Sequence, residues 1–215
     1  MNEQLDTVEQ DKSSMQRWLA DSGMTAFNPH FEPGPGIAKL ELKFDIEKLR
    51  QALAEVSGNL DDLGDGFSAF GLTRRPGVEK PTPYDLSGLF WTRVDDSYEE
   101  VQREEDVDEF LFTEFNPALI GSYFEHVHQE LVKRFPIGRM RVLGKMPYNC
   151  NSWHRDPEPR LHIPIISNPG SLFVVNHHVT HLPADGSVYF TDTRGYHTAM
   201  NGGEDQRVHI VAALP

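Results

Sequence analysis

The sequence contains a single cysteine and no long apolar run. Cys150 has no second cysteine in the sequence to pair with, which excludes an internal disulfide. A single unpaired thiol is typical of a reducing compartment, so we expect a cytoplasmic protein. No stretch approaches the roughly 18 apolar residues of a transmembrane helix, and residues 1–14 lack the apolar segment of a secretory signal. The sequence therefore predicts no membrane partner.

Basic residues are also few in this sequence. The 20 lysines and arginines are outnumbered by 33 acidic residues, which gives a formal net charge of −13. Such a surface repels the phosphate backbone, so we expect no nucleic-acid partner. A small anionic ligand would then have to be held by particular arginines.

The N-terminal part, 1–137, mixes helix and strand patterns. A loose apolar stripe predicts a helix over 3–21, and "GIAKLELKF" alternates like a strand. Asp45 is placed to cap a helix that ends at Gly58, and "FSAFGLTRRPG" predicts another strand. The acidic run 95–110 is typical of a solvated face, and residues 116–135 predict a further helix.

From Gly138 onward, short strand-like runs alternate with turn residues. These runs are "RMRVLGKM", "RLHIPII", "SLFVVNHHV", "GSVYFTD" and "QRVHIVAAL". We predict a single domain, 1–215, of the mainly β (α+β) class. Its core, 138–215, would be a double-sheet jelly roll. The helical N-terminal half, 1–137, would buttress this core and supply the substrate-specific region.

The stretch "NSWHRDPEPRLHIPIISNPG", 151–170, concentrates ionisable residues beside an apolar run. His154 and Asp156 are two residues apart, so in a strand they share a face and can converge on one metal ion. His197 is the best candidate for a third ligand. Two histidines and one carboxylate with open positions suit a non-haem Fe(II) centre. The tripeptide "HRD" also opens the protein-kinase catalytic loop, but the downstream asparagine and the glycine-rich loop of kinases are missing.

Arginines strengthen the prediction of a site. Arg160 and His162 are again two residues apart and can face one cavity. Arg207 follows His197 by ten residues, and a hairpin through "NGG" would bring its strand back beside His197. A buried arginine needs a carboxylate partner. Because Asp156 is assigned to the metal, a bound dicarboxylate would supply that partner.

Several neighbouring residues keep alternative interpretations. Arg160 could simply pair with Glu158. His209 lies on the same face as Arg207 and could replace His197, although we expect it to hydrogen-bond behind the ligands. Cys150 and Trp153 are expected to be packing residues beside the site. The remaining histidines of the C-terminal half are expected to be structural: His177, His178 and His181.

Two segments, "WHRDPEPRLHIPIISNP" and "HLPADGSVYFTDTRGYHTAMNGGEDQRVHIVAAL", resemble the aspartyl/asparaginyl β-hydroxylase family of 2-oxoglutarate-dependent Fe(II) dioxygenases. The resemblance covers roughly 138–214 and implies the double-stranded β-helix fold. It also implies that His154, Asp156 and His197 bind iron. Arg207 would hold the C5 carboxylate of 2-oxoglutarate, and Arg160 and His162 its C1 end. Animal members have glycine at the position of Asp156, so the bacterial branch is the closer likeness.

The function implied by this resemblance is a hydroxylase. It would use molecular oxygen and 2-oxoglutarate to hydroxylate a small substrate, an Asp-, Asn- or Pro-like amino acid, free or in a peptide. Substrate contacts are expected around "GDGFSAFGLTRR" and "YDLSGLFW", where Arg74 or Arg75 could grip a carboxylate. The alternative is a non-redox, metal-binding, cupin-like enzyme or binding module, which would need the metal but not Arg207.

Overall fold

The computed structural model describes residues 36–94 and 96–214, which belong to one compact unit. The helix predicted for 3–21 lies outside the described residues. The α-helices of the described part are α1 (Ile46–Val56), α2 (Pro83–Leu86) and α3 (Tyr123–Val132). Short 3-10 turns occupy Ser57–Asn59, Glu109–Leu111 and Pro117–Leu119. None of the described helices is long and apolar enough to cross a membrane.

Strands dominate the described part of the chain. The first eight are β1 (Ile37–Lys43), β2 (Asp61–Gly64), β3 (Phe67–Gly71), β4 (Thr73–Arg74), β5 (Trp91–Arg93), β6 (Glu100–Gln102), β7 (Glu114–Phe115) and β8 (Met140–Lys145). The other eight are β9 (Asn149–Cys150), β10 (His154–Arg155), β11 (Arg160–Ile166), β12 (Ser171–Val175), β13 (His178–His181), β14 (Ser187–Thr191), β15 (His197–Asn201) and β16 (Arg207–Ala213).

Two seven-stranded sheets form the body of the molecule. Sheet I has the order β1-β14-β11-β16-β8-β3-β2. Sheet II has the order β13-β12-β15-β10-β5-β6, with β9 paired to β15. Antiparallel pairs join the strands of both sheets, and an apolar cluster connects Phe173 and Ala199 of sheet II with Ile37 and Tyr189 of sheet I. The predicted double-stranded β-helix is confirmed.

The main apolar core lies between sheet I and the helices. Alternate residues of its central strands point outward, including Leu161, Ile163 and Ile165 of β11 and Val208 and Ile210 of β16. They pack with the buried face of α1 and with the buried residues of α3, which are Phe124, Val127 and Leu131. The residues between them on the same strands therefore face the space between the two sheets.

The helix boundaries follow local signals. The Asp45 carboxylate accepts hydrogen bonds from the backbone N–H groups of Glu47 and Lys48, at 3.0 and 3.2 Å, as its predicted capping role requires. Helix α1 ends at Val56, and the predicted end at Gly58 lies within the 3-10 turn Ser57–Asn59 that follows it. The helix predicted over 116–135 is interrupted at Gly121, whose φ of 86° lies in the left-handed region. Only Tyr123–Val132 of that span is α-helical.

The half before residue 138 builds sheet as well as helix. It supplies β1, β2 and β3 to sheet I and β5 and β6 to sheet II. The predicted hairpin between the strands of His197 and Arg207 is wrong. β15 belongs to sheet II and β16 to sheet I, so residues 202–206 cross from one sheet to the other. Arg207 and His197 consequently face one cavity from opposite sheets instead of lying on paired strands.

Candidate active site

His154, Asp156 and His197 meet between the sheets. His154 in β10 is paired directly opposite His197 at the start of β15. Asp156 follows β10, and its backbone N–H donates to the Thr193 carbonyl at 2.9 Å. One potential ligand atom from each of the three buried side chains lies within 4.8 Å of the others. This spacing allows all three side chains to bind one cation.

Hydrogen bonds orient both imidazoles toward that point. His154 donates from Nδ1 to the Ser152 carbonyl at 2.8 Å, and His197 donates from Nδ1 to the Gly195 carbonyl at 3.1 Å. Each Nε2 is left with a lone pair. Burial, with repulsion from His197, lowers the pKa of His154 to about 4, and burial also lowers the pKa of His197. Both rings are therefore neutral, as metal ligands must be.

The carboxylate completes the donor set. Asp156 Oδ1 is buried and accepts no hydrogen bond from the part of the chain that the structure describes. A buried acceptor without a partner is costly, and a cation would satisfy it. Two free Nε2 atoms and this oxygen fit a divalent transition metal, including Fe(II).

Arg160 supports the carboxylate ligand. Its Nε lies 3.3 Å from Asp156 Oδ2, and its Nη1 lies 2.6 Å from Glu109 Oε2 and 3.5 Å from Glu158 Oε2. The expected alternative partner Glu158 is thus one of three carboxylates around this guanidinium. Nη2 of Arg160 is buried and has no hydrogen-bond partner among the described residues. That donor remains able to bind a ligand in the cavity.

Glu109 corrects the interpretation of the acidic run. The run 95–110 was predicted to be a solvated face, but Glu109 is only 1% exposed. It forms ion pairs with Arg139 and Arg160. Burial alone would raise the pKa of Glu109, but the two arginines lower it to about 2. The prediction is wrong at this position because charge composition does not identify the one carboxylate that buried arginines neutralise.

Arg207 lies in the same cavity without a carboxylate partner. It is 6% exposed, and its Nη2–H donates to His209 Nδ1 at 3.0 Å. No described carboxylate lies within ion-pair distance of it, and burial lowers its pKa to about 10. The Nδ1 atoms of His209 and His162 are 3.4 Å apart. His209 is therefore a hydrogen-bonding neighbour of Arg207 and lies outside the metal-ligand cluster.

The sequence reasoning missed two further cations, Arg141 and Lys145 of β8. Both line the cavity with Arg160, His162 and Arg207. Arg141 donates to the Leu86 carbonyl, and Lys145 donates to Asn151 Oδ1 and the Ala199 carbonyl. Burial, reinforced by Arg207, lowers the pKa of Lys145 to about 7. The available signal was the alternation in "RMRVLGKM", which places Arg139, Arg141 and Lys145 on one strand face.

Other candidate residues do not line this cavity. Cys150 and Trp153 were expected to pack beside the site, but Cys150 is exposed and Trp153 is 43% exposed. Arg74 pairs with Glu114 at 3.1 Å and Arg75 with Asp85 at 2.9 Å. Neither arginine is among the residues that line the cavity. His177 lies in the turn between β12 and β13 with a positive φ of 68°.

A second cavity adjoins the first. The metal-side cavity has a volume of about 80 Å³, and the neighbouring one, the side cavity, has about 320 Å³. They share the lining residues Phe67, Gly88, Leu143, Gly144 and Asn151. Phe67 and Gly88 come from the two segments, "GDGFSAFGLTRR" and "YDLSGLFW", in which substrate contacts were expected.

Comparison with known proteins gives structural matches only. No protein-family model and no curated protein sequence matches this chain. The chain is similar to an oxidoreductase of the 2OG-Fe(II) oxygenase family from Burkholderia pseudomallei, with 15% identity, 83% of each chain covered and a TM-score of 0.47. It is also similar to the collagen prolyl hydroxylase of Paramecium bursaria Chlorella virus 1 in complex with 2OG, with 10% identity, 84% and 96% coverage and a TM-score of 0.46.

A cupin domain from Bordetella pertussis matches more locally. The identity is 16%, the TM-score is 0.31, and the match covers 36% of this chain and 80% of that one. At such identities and TM-scores the matches carry no argument about activity or substrate.

Proposed function

We propose that this chain is an Fe(II)- and 2-oxoglutarate-dependent dioxygenase that hydroxylates a small substrate. One observation carries the proposal. A buried His-Asp-His cluster with free ligand atoms shares its cavity with a buried arginine that has no carboxylate partner. A bound cation would stabilise the cluster, and a bound anion would pair with the arginine.

His154, Asp156 and His197 would hold the iron. When bound, iron with 2-oxoglutarate supplies the activation of oxygen, with succinate and carbon dioxide as co-products. The two backbone carbonyls at Ser152 and Gly195 keep the imidazoles turned toward the metal. Arg160 holds Asp156 in place, and Glu109 neutralises Arg160.

The cosubstrate would lie along the cationic wall. The Arg207 guanidinium matches the C5 carboxylate of 2-oxoglutarate in shape and charge. Lys145 and Arg141 add positive charge on the same wall. At the other end, the unpartnered Nη2 of Arg160 and the neighbouring His162 would contact the C1 carboxylate.

The narrower assignments belong to the same proposal. The resemblance of residues 138–214 to the aspartyl/asparaginyl β-hydroxylases supports an amino-acid-like substrate, free or in a peptide. We also propose a cytoplasmic protein without a nucleic-acid or membrane partner, on the basis of the net charge of −13 and the single cysteine. The single-domain organisation over 1–215 is part of the proposal as well.

The test is a titration of 2-oxoglutarate into the anaerobic Fe(II)-loaded protein, followed by its visible charge-transfer band. Wild type should show a saturable band, and in air it should slowly convert 2-oxoglutarate to succinate even without substrate. Arg207→Ala should lose the band at the same ligand concentrations. Arg194→Ala is the matched control, because Arg194 is an exposed arginine paired with Asp192. Absence of the band in wild type would instead favour the non-redox, cupin-like alternative, and an unchanged titration in Arg207→Ala would overturn the role of Arg207.

A further inference from the structure

The side cavity is built from three segments of the chain. One wall is the hairpin of β2 and β3, another is the stretch 86–89 at the end of α2, and the third is the stretch 149–152 that leads to His154. Leu143 and Gly144 of β8 close the end that it shares with the metal-side cavity. A molecule in the side cavity would therefore lie next to the metal cluster.

The two cavities differ in charge. The metal-side cavity is lined by the basic residues Arg141, Lys145, Arg160 and Arg207, with Asp156 as its acidic residue. Among the described residues that line the side cavity there is no lysine or arginine, and the charged residue is Asp65. Its other polar groups are hydroxyls and amides, and its apolar surface includes Leu63, Leu89 and the Phe67 ring.

The polar groups of the side cavity favour hydrogen-bond acceptance. Asn149 Oδ1 is buried and has no hydrogen-bond partner within the described chain, while its Nδ2 donates to the Asp65 carbonyl. The Asp65 carboxylate is also an acceptor. Asp65 is exposed and lines the side cavity, and its φ of 50° lies in the left-handed region, as do those of its neighbours Gly64 and Gly66.

We infer that the side cavity receives the substrate, and that this substrate is an amide or amine with an apolar body and no free carboxylate. The inference rests on the proposed function and names the substrate class of that site. An ammonium or amide N–H would satisfy Asn149 Oδ1 and Asp65, and the apolar body would contact Phe67 and the leucines. Away from the shared end, where Arg141 and Lys145 lie against Gly88 and Phe67, a carboxylate in the side cavity would have no cation to pair with.

This inference distinguishes free amino acids from amino-acid residues in a peptide. A free amino acid carries an α-carboxylate, and the cations that could bind it line the metal-side cavity, where 2-oxoglutarate would lie. A residue in a peptide presents amides at the same positions and leaves no charge unpaired. Burial of an unpaired charged group costs more free energy than burial of an unsatisfied neutral group. We therefore expect amides to bind at least about tenfold more tightly than the matched acids.

The first experiment compares matched pairs of substrates. Asparagine and proline are each offered to the Fe(II)-loaded full chain as the free acid and as the primary amide. Stimulation of succinate formation and a product mass gain of one oxygen are measured. Ligand-observed NMR with the metal-free protein gives a second readout that does not depend on turnover. The amide of each pair should bind more tightly and stimulate turnover more.

A pair of variants tests the role of Asp65. Asp65→Asn removes the carboxylate, and asparagine tolerates the left-handed backbone at this position. Asp65→Asn should weaken the binding of amides that carry a free amine by about threefold or more. N-acetylated amides, which lack the charged amine, should bind this variant as they bind wild type, so the difference in affinity between the two kinds of amide should become smaller. Asp61→Asn is the control, because Asp61 lies in the same hairpin but does not line the side cavity. This control should bind both kinds of amide as wild type does.

The outcomes separate the two proposals. If wild type shows no iron-dependent conversion of 2-oxoglutarate, the proposed function itself is overturned. Normal conversion combined with equal or tighter binding of the free acids would overturn only the inference about the side cavity. Equal effects of Asp65→Asn and Asp61→Asn would overturn the contribution of Asp65.

Discussion

The two faces of sheet I have opposite chemistry although they are formed by the same strands. On β16, Val208, Ile210 and Ala212 join the apolar core against the helices, while Arg207 and His209 face the space between the sheets. β11 repeats the pattern with Leu161 and Ile163 on one face and Arg160 and His162 on the other. Strand alternation thus separates groups that stabilise the fold from groups that bind a ligand.

The charged and titratable residues that face the cavity have lowered pKa values, which reflect the free-energy cost of burying them. Burial lowers the pKa of Arg207 to about 10 and that of Lys145 to about 7, and it lowers the pKa of His209 well below its usual range. Each shift means that folding disfavours the charged form of the group. Burial of the apolar face, worth about 25 cal/mol per Å², must offset this cost. Substitutions on the two faces should therefore have separable effects.

The largest effect is expected at the metal cluster. His197→Ala removes a ligand and should abolish iron-dependent turnover, while the apolar core remains intact and the protein stays folded. Iron content and turnover are measured together with thermal unfolding. His209→Ala is the companion variant, and it should keep the iron. Retention of iron by His197→Ala and its loss in His209→Ala would show that the ligand assignment is wrong.

The opposite face should respond in stability. Ile163→Ala removes a fully buried side chain from the apolar core and should lower the free energy of unfolding by about 2–5 kcal/mol. Denaturant unfolding measures the loss. Anaerobic binding of 2-oxoglutarate, measured below the unfolding transition, should be unchanged. A large drop in its affinity without a loss of stability would contradict the separation of the two faces.

Arg207→Ala should produce the converse result. Removal of one partner of a buried charged pair costs about 2–5 kcal/mol of binding, or about a 30-fold or greater loss of 2-oxoglutarate affinity. Arg207→Lys keeps the charge but loses the two-pronged geometry. The affinity of this variant for 2-oxoglutarate should therefore lie between those of wild type and Arg207→Ala. Iron binding should be nearly unchanged in both variants. Titration of the charge-transfer band gives the affinity, and metal analysis gives the iron content.

Lys145 should give the binding of 2-oxoglutarate a pH dependence. Its pKa of about 7 means that Lys145 is charged below pH 7 and neutral above it. Because a dianion favours the charged form, affinity should be highest below pH 7. It should fall by at most about tenfold per pH unit above that, until the pKa of the ligand-bound lysine is reached. Lys145→Met should lower the affinity at low pH and flatten the profile.

A second group must be controlled in that experiment. Burial, with the neighbouring Glu109, raises the pKa of Glu158 to about 7, so this carboxyl loses its proton in the same pH window beside Arg160. Glu158→Gln should keep the pH dependence if Lys145 causes it. A flat profile in Glu158→Gln and an unchanged profile in Lys145→Met would assign the effect to Glu158 instead.

The β-rich core and the grouping of His154, Asp156 and His197 were both predictable from the sequence, and the structure brings these three residues together. Strand periodicity after Gly138 predicted the strands, and the spacing of His154 and Asp156 placed two ligand types on one face. Such patterns are local, because alternation and spacing depend on residues close together in the chain. The same alternation also places Arg141 and Lys145 on one strand face, although the sequence analysis did not identify them as site residues.

Which distant residues meet depends on the packing of the whole chain. Glu109 neutralises Arg139 and Arg160 across gaps of 30 and 51 positions, and nothing in an acidic run marks one carboxylate for burial. The crossing of residues 202–206 between sheets, against the expected hairpin, places Arg207 opposite His197. The side cavity likewise forms where three separate segments converge. Burial and charge pairing depend on the packing of whole sheets, so a local pattern cannot specify them.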